Sequence, residues 1–252
     1  MNILQSPITL RALPKKTMLF ACMLPVLLLG SCEKTATKAE ENRLTAPDNQ
    51  AAQLSAAAAA ATPTSGWTQT SYTYSIQTPW NLAQSARYSV SGGEHHFWIY
   101  PTDACQFEGC TTGPRSELRM NNDYLTGRHQ FEGDVYIVSG SDGTDFMQVF
   151  GGVTNATSLL LKVTAASGGT IKRYDNETLM TSAYNKWIHV NVQHDADNGK
   201  IYVYLNSVLK GTFADRGKAN HYFKCGVYNI SGSRSETRWK NIKYWKNGAV
   251  GQ

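Results

Sequence analysis

His221-Tyr222-Phe223-Lys224-Cys225-Gly226-Val227-Tyr228-Asn229 reads as one β-strand. Side chains of a strand point alternately to its two faces. One face takes Phe223, Cys225 and Val227, an apolar set suited to a core. The other takes Tyr222, Lys224, Gly226 and Tyr228. Two phenols and an ammonium with no aliphatic neighbour are poor packing material. Arg115-Ser116-Glu117-Leu118-Arg119 repeats the pattern upstream, with Arg115, Glu117 and Arg119 on one face. Two such strands lining one surface predict a groove for an anionic ligand.

Outward from this strand, residues 67–252 have a single texture. Short runs rich in Tyr, Val, Ile, Trp and Thr alternate with Gly, Asn, Asp and Ser turns. Strands are predicted over 70–76, 86–90, 95–100, 115–120, 129–138, 146–150, 158–163 and 170–173. Four more follow at 186–193, 200–205, 222–228 and 238–245. Asp197-Asn198-Gly199 is a strong hairpin turn between two of them. No amphipathic helix of useful length and no internal repeat interrupts the series, so the segment is one all-β domain, a sandwich or a barrel. Trp98, Trp187 and Trp239 read as core residues.

The N-terminal part has another character. Residues 1–31 read as an export signal, with Arg11, Lys15 and Lys16 ahead of an apolar run from Met18 to Leu29. About a dozen apolar residues are too few for a membrane-spanning helix. The run ends at Leu29-Gly30-Ser31-Cys32, which resembles a bacterial lipobox. That resemblance implies lipidation of Cys32 and an exported lipoprotein of the cell envelope, attached to a membrane through this residue. Residues 32–66, rich in Ala, Thr, Ser, Glu and Gln, read as a disordered tether; a flexible chain of that length spans roughly 30–35 Å.

The 252-residue chain has a formal charge of +5. Removing residues 1–31 removes three cations and no acid, which leaves +2. Most of the basicity is therefore in the signal, and no run of Lys and Arg interleaved with aromatics points to nucleic acid. Cys105 and Cys110 lie close together in a loop, where export permits a disulfide. Cys225 reads as a buried thiol. No cysteine pair has zinc spacing beside histidines, and no metal or cofactor is expected.

Arg115-Ser116-Glu117-Leu118-Arg119, Gln148-Val149-Phe150 and Tyr222-Phe223-Lys224-Cys225-Gly226-Val227-Tyr228 together resemble the alginate lyases of polysaccharide lyase family 7. That family carries Arg-x-Glu-Leu/Val-Arg, Gln-Ile/Val-His and Tyr-Phe-Lys-Ala-Gly-Val/Ile-Tyr-Asn strands. The resemblance runs from about Tyr88 to Trp245. It implies a β-jelly roll, a concanavalin-like sandwich of two antiparallel sheets with a concave substrate groove. One departure stands out: residue 150 is Phe where the family has its histidine. His95-His96-Phe97-Trp98, Phe131-Glu132-Gly133, Met147-Gln148-Val149-Phe150-Gly151 and Glu236-Thr237-Arg238-Trp239-Lys240-Asn241-Ile242-Lys243 are similar to plant citrate-binding proteins and their fungal and bacterial relatives. The glucuronan lyases of family 20 share the jelly roll and take their histidine from a different strand.

Uronate lyases cleave by β-elimination. The C5 proton is weakly acidic, so the adjacent carboxylate must be neutralised while a base removes the proton and an acid protonates the leaving O4 oxygen. The resemblance gives Arg115, Arg119 and Gln148 the carboxylate and Tyr228 the acid or base role. Lys224, four residues away on the same strand face, supplies a cationic field that favours a phenolate, and Tyr222 and Lys224 position the sugar. Glu117 orients the arginines. His95 is the preferred second base, because it shares a period with Phe97, and His96 is the alternative. His129, His189, His194 and His221 read as structural or exposed. The expected activity is that of a monomeric polysaccharide lyase acting on an anionic polysaccharide of the alginate or glucuronan type. The alternative is a non-catalytic binder of sugar acids or citrate-like polycarboxylates.

Overall fold

A computed structural model describes residues 62–153 and 157–252. The expected signal peptide, the lipidated Cys32 and most of the tether lie outside the described residues. In chain order the strands are β1 (Thr68–Thr70), β2 (Tyr74–Gln77), β3 (Tyr88–Ser91), β4 (Glu94–Ile99), β5 (Arg115–Met120), β6 (Arg128–Ile137), β7 (Thr144–Phe150) and β8 (Thr157–Thr164). They continue as β9 (Thr170–Arg173), β10 (Glu177–Met180), β11 (Trp187–Asp195), β12 (Lys200–Leu205), β13 (Val208–Ala214), β14 (Tyr222–Tyr228) and β15 (Ser235–Lys246). Two short 3₁₀ turns are the only helical pieces among the described residues.

The strands form two antiparallel sheets. One runs β13-β12-β11-β6-β15-β4-β3, with β1 also paired to β15; the other runs β10-β9-β8-β7-β14-β5-β2. The chain passes repeatedly from one sheet to the other, among other places from β4 to β5, from β6 to β7, from β13 to β14 and from β14 to β15, as in the expected jelly roll. The crossings position the site. β14 arrives late in the sequence and inserts between β5 and β7, so three motifs far apart in the chain become neighbours in one sheet.

Alternation sets what each strand buries. Phe223, Cys225 and Val227 of β14 and Leu118 and Met120 of β5 are fully buried against Phe97, Phe131, Val135, Val192 and Trp239 of the facing sheet. Cys225 is a free, buried thiol, and burial holds it well above the usual thiol range. Trp239 is in the core as expected, but Trp98 and Trp187 are not. Trp98 occupies an outward position of β4. Trp187 is 36% exposed, with Lys240 Nζ 4.0 Å from its ring centroid.

The ordered domain starts before Trp67. Pro63 is buried and its carbonyl accepts a 2.8 Å hydrogen bond from Gln193 Nε2. The last few residues of the expected tether are therefore docked on the sandwich.

Candidate active site

The outer face of the seven-stranded sheet carries the polar set. Cross-strand register places Lys224 between Arg119 and Gln148, Tyr228 beside Arg115, and Tyr222 beside Phe150. Arg115, Gln148, Phe150, Tyr222, Lys224 and Tyr228 line a cavity of about 520 Å³. Gln106 and Phe107 add a wall from the loop between β4 and β5. Cys105 and Cys110 close that loop with a disulfide, as expected.

One glycine makes this arrangement possible. Gly226 has φ +137°, and a Cβ there would lie 2.4 Å from the Ser116 carbonyl oxygen and 2.8 Å from Glu117 Cα. β14 thus approaches β5 more closely than a side chain allows. The pairing of β14 with β7 shifts register between Cys225 and Tyr228. Such a bulge re-aims the residues beyond it, here Tyr228.

Glu117 lies under the cavity floor, 1% exposed. Its carboxylate accepts hydrogen bonds from the Gln148 amide and the Lys224 ammonium, and Arg115 Nη1 stands 3.5 Å away. A buried carboxylate holding three donors aims them rather than reacting, so Glu117 orients and does not itself line the groove. Burial lowers the Lys224 ammonium from its ordinary range, with Glu117 pulling it back up. Two cations against one carboxylate leave the floor net positive, the sign an anionic substrate needs.

The two arginines behave differently. The Arg115 guanidinium lies over the Tyr228 ring, 4.3 Å from its centroid, with Nη2 donating to Thr112 Oγ1 at 2.9 Å. Arg119 lies over the Tyr222 ring at 4.0 Å, but it does not line the cavity. Its guanidinium pairs with Asp123 at 2.6 Å and donates to the Met120 carbonyl and Asn121. The expected carboxylate contact from Arg119 is therefore replaced by support of Tyr222. The acid four residues further on, just past the strand end, captures it.

Neither His95 nor His96 reaches this face. β4 belongs to the other sheet. His95 points inward, where its Nδ1 is 2.8 Å from the Tyr88 hydroxyl and its ring stacks on Phe97; burial lowers its pKa. His96 points outward and pairs with Glu94 at 2.6 Å. Shared period with Phe97 correctly indicates an inward side chain, and for that reason excludes His95 from an outer groove. No histidine lines the cavity among the described residues. In the position of the family histidine, the Phe150 ring stacks on Tyr222 with centroids 4.8 Å apart.

Sequence reasoning missed Asp145. It is 1% exposed and sits opposite Tyr228 in register. Burial pushes its carboxyl up to about 7, against the opposing pull of Lys162 and Asn229. Asn229 Nδ2 donates to its Oδ2 at 3.1 Å. The bulge in β14 creates this juxtaposition, and simple alternation gives no sign of it.

The sequence profile of the alginate lyase family matches residues 60–246. The chain belongs to this family. Among curated proteins it is similar to the citrate-binding protein of Hevea brasiliensis, 41% identical over 194 residues that cover 74% of this chain and 80% of the relative. Among solved structures, an alginate lyase of polysaccharide lyase family 7 superposes with a TM-score of 0.54 at 20% identity, covering 73% of this chain and 97% of the other. The family 7 alginate lyase of the marine Zobellia galactanivorans gives 0.53 at 16% identity, covering 74% and 100%. At these identities the structural likeness establishes the jelly-roll fold of this alginate lyase family member.

Proposed function

We propose that the groove binds a 4-linked polyuronate and cleaves it by β-elimination, with Tyr228 carrying the proton. Arg115 and the free N–H of Gln148 take the substrate carboxylate, so that charge developing at C5 is shared with fixed donors. The Tyr228 phenolate removes the C5 proton, and the resulting phenol returns a proton to O4. The C5–H and C4–O4 bonds break and a C4=C5 double bond forms. One group can do both tasks where the C5 hydrogen and O4 lie on the same side of the ring. Lys224 and Tyr222 hold the sugar, with Tyr222 braced by Arg119. The observation that carries this reading is the convergence of Arg115, Gln148, Lys224 and Tyr228, from three strands, on one cavity.

A second reading is a binder of sugar acids or small polycarboxylates. Phe150, stacked on Tyr222 in place of an imidazole, favours it, as does the likeness to a protein named for citrate binding. Incubation of the purified domain with alginate, polyglucuronate and oxidised cellulose separates the two. The first reading predicts ultraviolet-absorbing unsaturated uronate from at least one substrate. No such product from any of them, with calorimetric binding of citrate or oligouronates, would establish the second.

A further inference from the structure

On the inner side of β14, away from the groove, His194 of β11 meets Asp215 and His221, the residues that bracket the loop between β13 and β14. We propose that these three side chains form a binding site for one divalent transition-metal ion of the zinc type. Their candidate donor atoms all lie within 4.8 Å of one another. His194 Nε2 stands 3.1 Å from Asp215 Oδ2, and the two imidazole rings meet edge to face with centroids 4.6 Å apart.

His221 supplies the independent sign. Its Nδ1 is 3.3 Å from the Phe150 carbonyl oxygen. A carbonyl only accepts, so Nδ1 carries the ring proton and Nε2 presents its lone pair. That Nε2 is buried and has no hydrogen-bond partner, and the residue is 0% exposed. Leaving a buried polar atom unpaired costs stability. Burial pushes the His221 imidazole below its ordinary range, with smaller opposing pulls from the Phe150 carbonyl, Asp215 and the Gly217 backbone. A histidine whose Nδ1–H is held by a backbone carbonyl is oriented as metal-binding histidines are. Gly151 makes room for it, since a Cβ there would lie 2.4 Å from His221 Nδ1.

The neighbours are consistent with a closed donor set of three. The Tyr124 hydroxyl is 2.9 Å from His194 Nδ1. When His194 Nε2 takes a metal, its proton sits on Nδ1 and is donated to the Tyr124 oxygen. His129, the other imidazole packed against Tyr124, has both nitrogens engaged, with Thr126 O at 2.8 Å and Tyr244 Oη at 2.6 Å. Two neutral imidazoles and one carboxylate, with a fourth position for water, suit zinc. They do not suit calcium, which takes six to eight oxygens. The ion would tie the loop of β14 to β11 of the opposite sheet, directly behind Tyr222 and Phe150.

The test uses the full chain, stripped with chelator and then titrated with Zn²⁺ and, separately, Co²⁺. One equivalent should bind saturably, raise the thermal midpoint and give Co²⁺ the visible absorption of a four-coordinate site. Asp215→Asn, which keeps the shape of the side chain, and His221→Ala should each weaken binding by at least about tenfold. Absence of saturable binding to the wild-type protein would overturn the proposal, whatever the variants do. So would wild-type affinity in either variant.

Discussion

Glu117 sets the electrostatics of the groove from beneath it. Its carboxylate holds Lys224, Gln148 and Arg115 at once, and both Glu117 and Lys224 are almost fully buried. Removing one partner of a buried ion pair leaves an uncompensated charge and costs about 3–5 kcal/mol. Glu117→Gln should therefore lose stability of that order in urea unfolding, and Glu117→Gln combined with Lys224→Met should recover part of it. Asp145 makes the opposite kind of prediction. Its folded value of about 7 lies above the ordinary 3.8, so between those pH values the folded protein keeps a proton that the unfolded chain releases. The resulting contribution is complete below about pH 4 and is lost as pH rises through 7. Asp145→Asn should match wild type near pH 4 and exceed it in stability near pH 8, on the order of 4 kcal/mol. A difference that does not change with pH would contradict the assignment.

At the level of strands, β14 does the organising, and Gly226 is the point on which its placement depends. Gly226→Ala drives a methyl into the backbone of β5 at a φ that side chains avoid. It should destabilise by roughly 2–4 kcal/mol in chemical denaturation, and it should reduce substrate affinity because Tyr228 follows the bulge. Much of this strand was legible in its residues. Alternation separates Phe223, Cys225 and Val227 from Tyr222, Lys224 and Tyr228, and the first set lies in the core while the second lines the cavity. The Asp197-Asn198-Gly199 hairpin likewise joins β11 to β12 as expected. Alternation gives parity within a strand, however, and not the sheet the strand joins. His95 is an inward residue of the wrong sheet for the groove, and His96 faces outward on that same sheet. A register shift between Asp145 and Met147 resets parity along β7 with no mark in the sequence, which hid Asp145. Arg119 was misjudged for a third reason: the acid that captures it, Asp123, lies past the end of its strand.

For the whole molecule, the jelly roll brings together motifs about a hundred residues apart, and the family resemblance conveyed this where local pattern alone left sandwich and barrel open. The apolar run ending at Cys32 supports the proposal that the domain is carried to the cell envelope on a lipid anchor. In a bacterial host, the protein should incorporate labelled palmitate and partition with membranes, and Cys32→Ser should do neither. Export would also suit a function on large extracellular polymers, which a groove open at the sheet surface can admit. The account rests most heavily on Tyr228 as the group that moves the proton. The direct measurement compares wild type with Tyr228→Phe on a polyuronate, following unsaturated product and, by calorimetry, oligouronate affinity. Loss of turnover by at least about a hundredfold with affinity nearly unchanged is the predicted result; turnover that survives the substitution would contradict it.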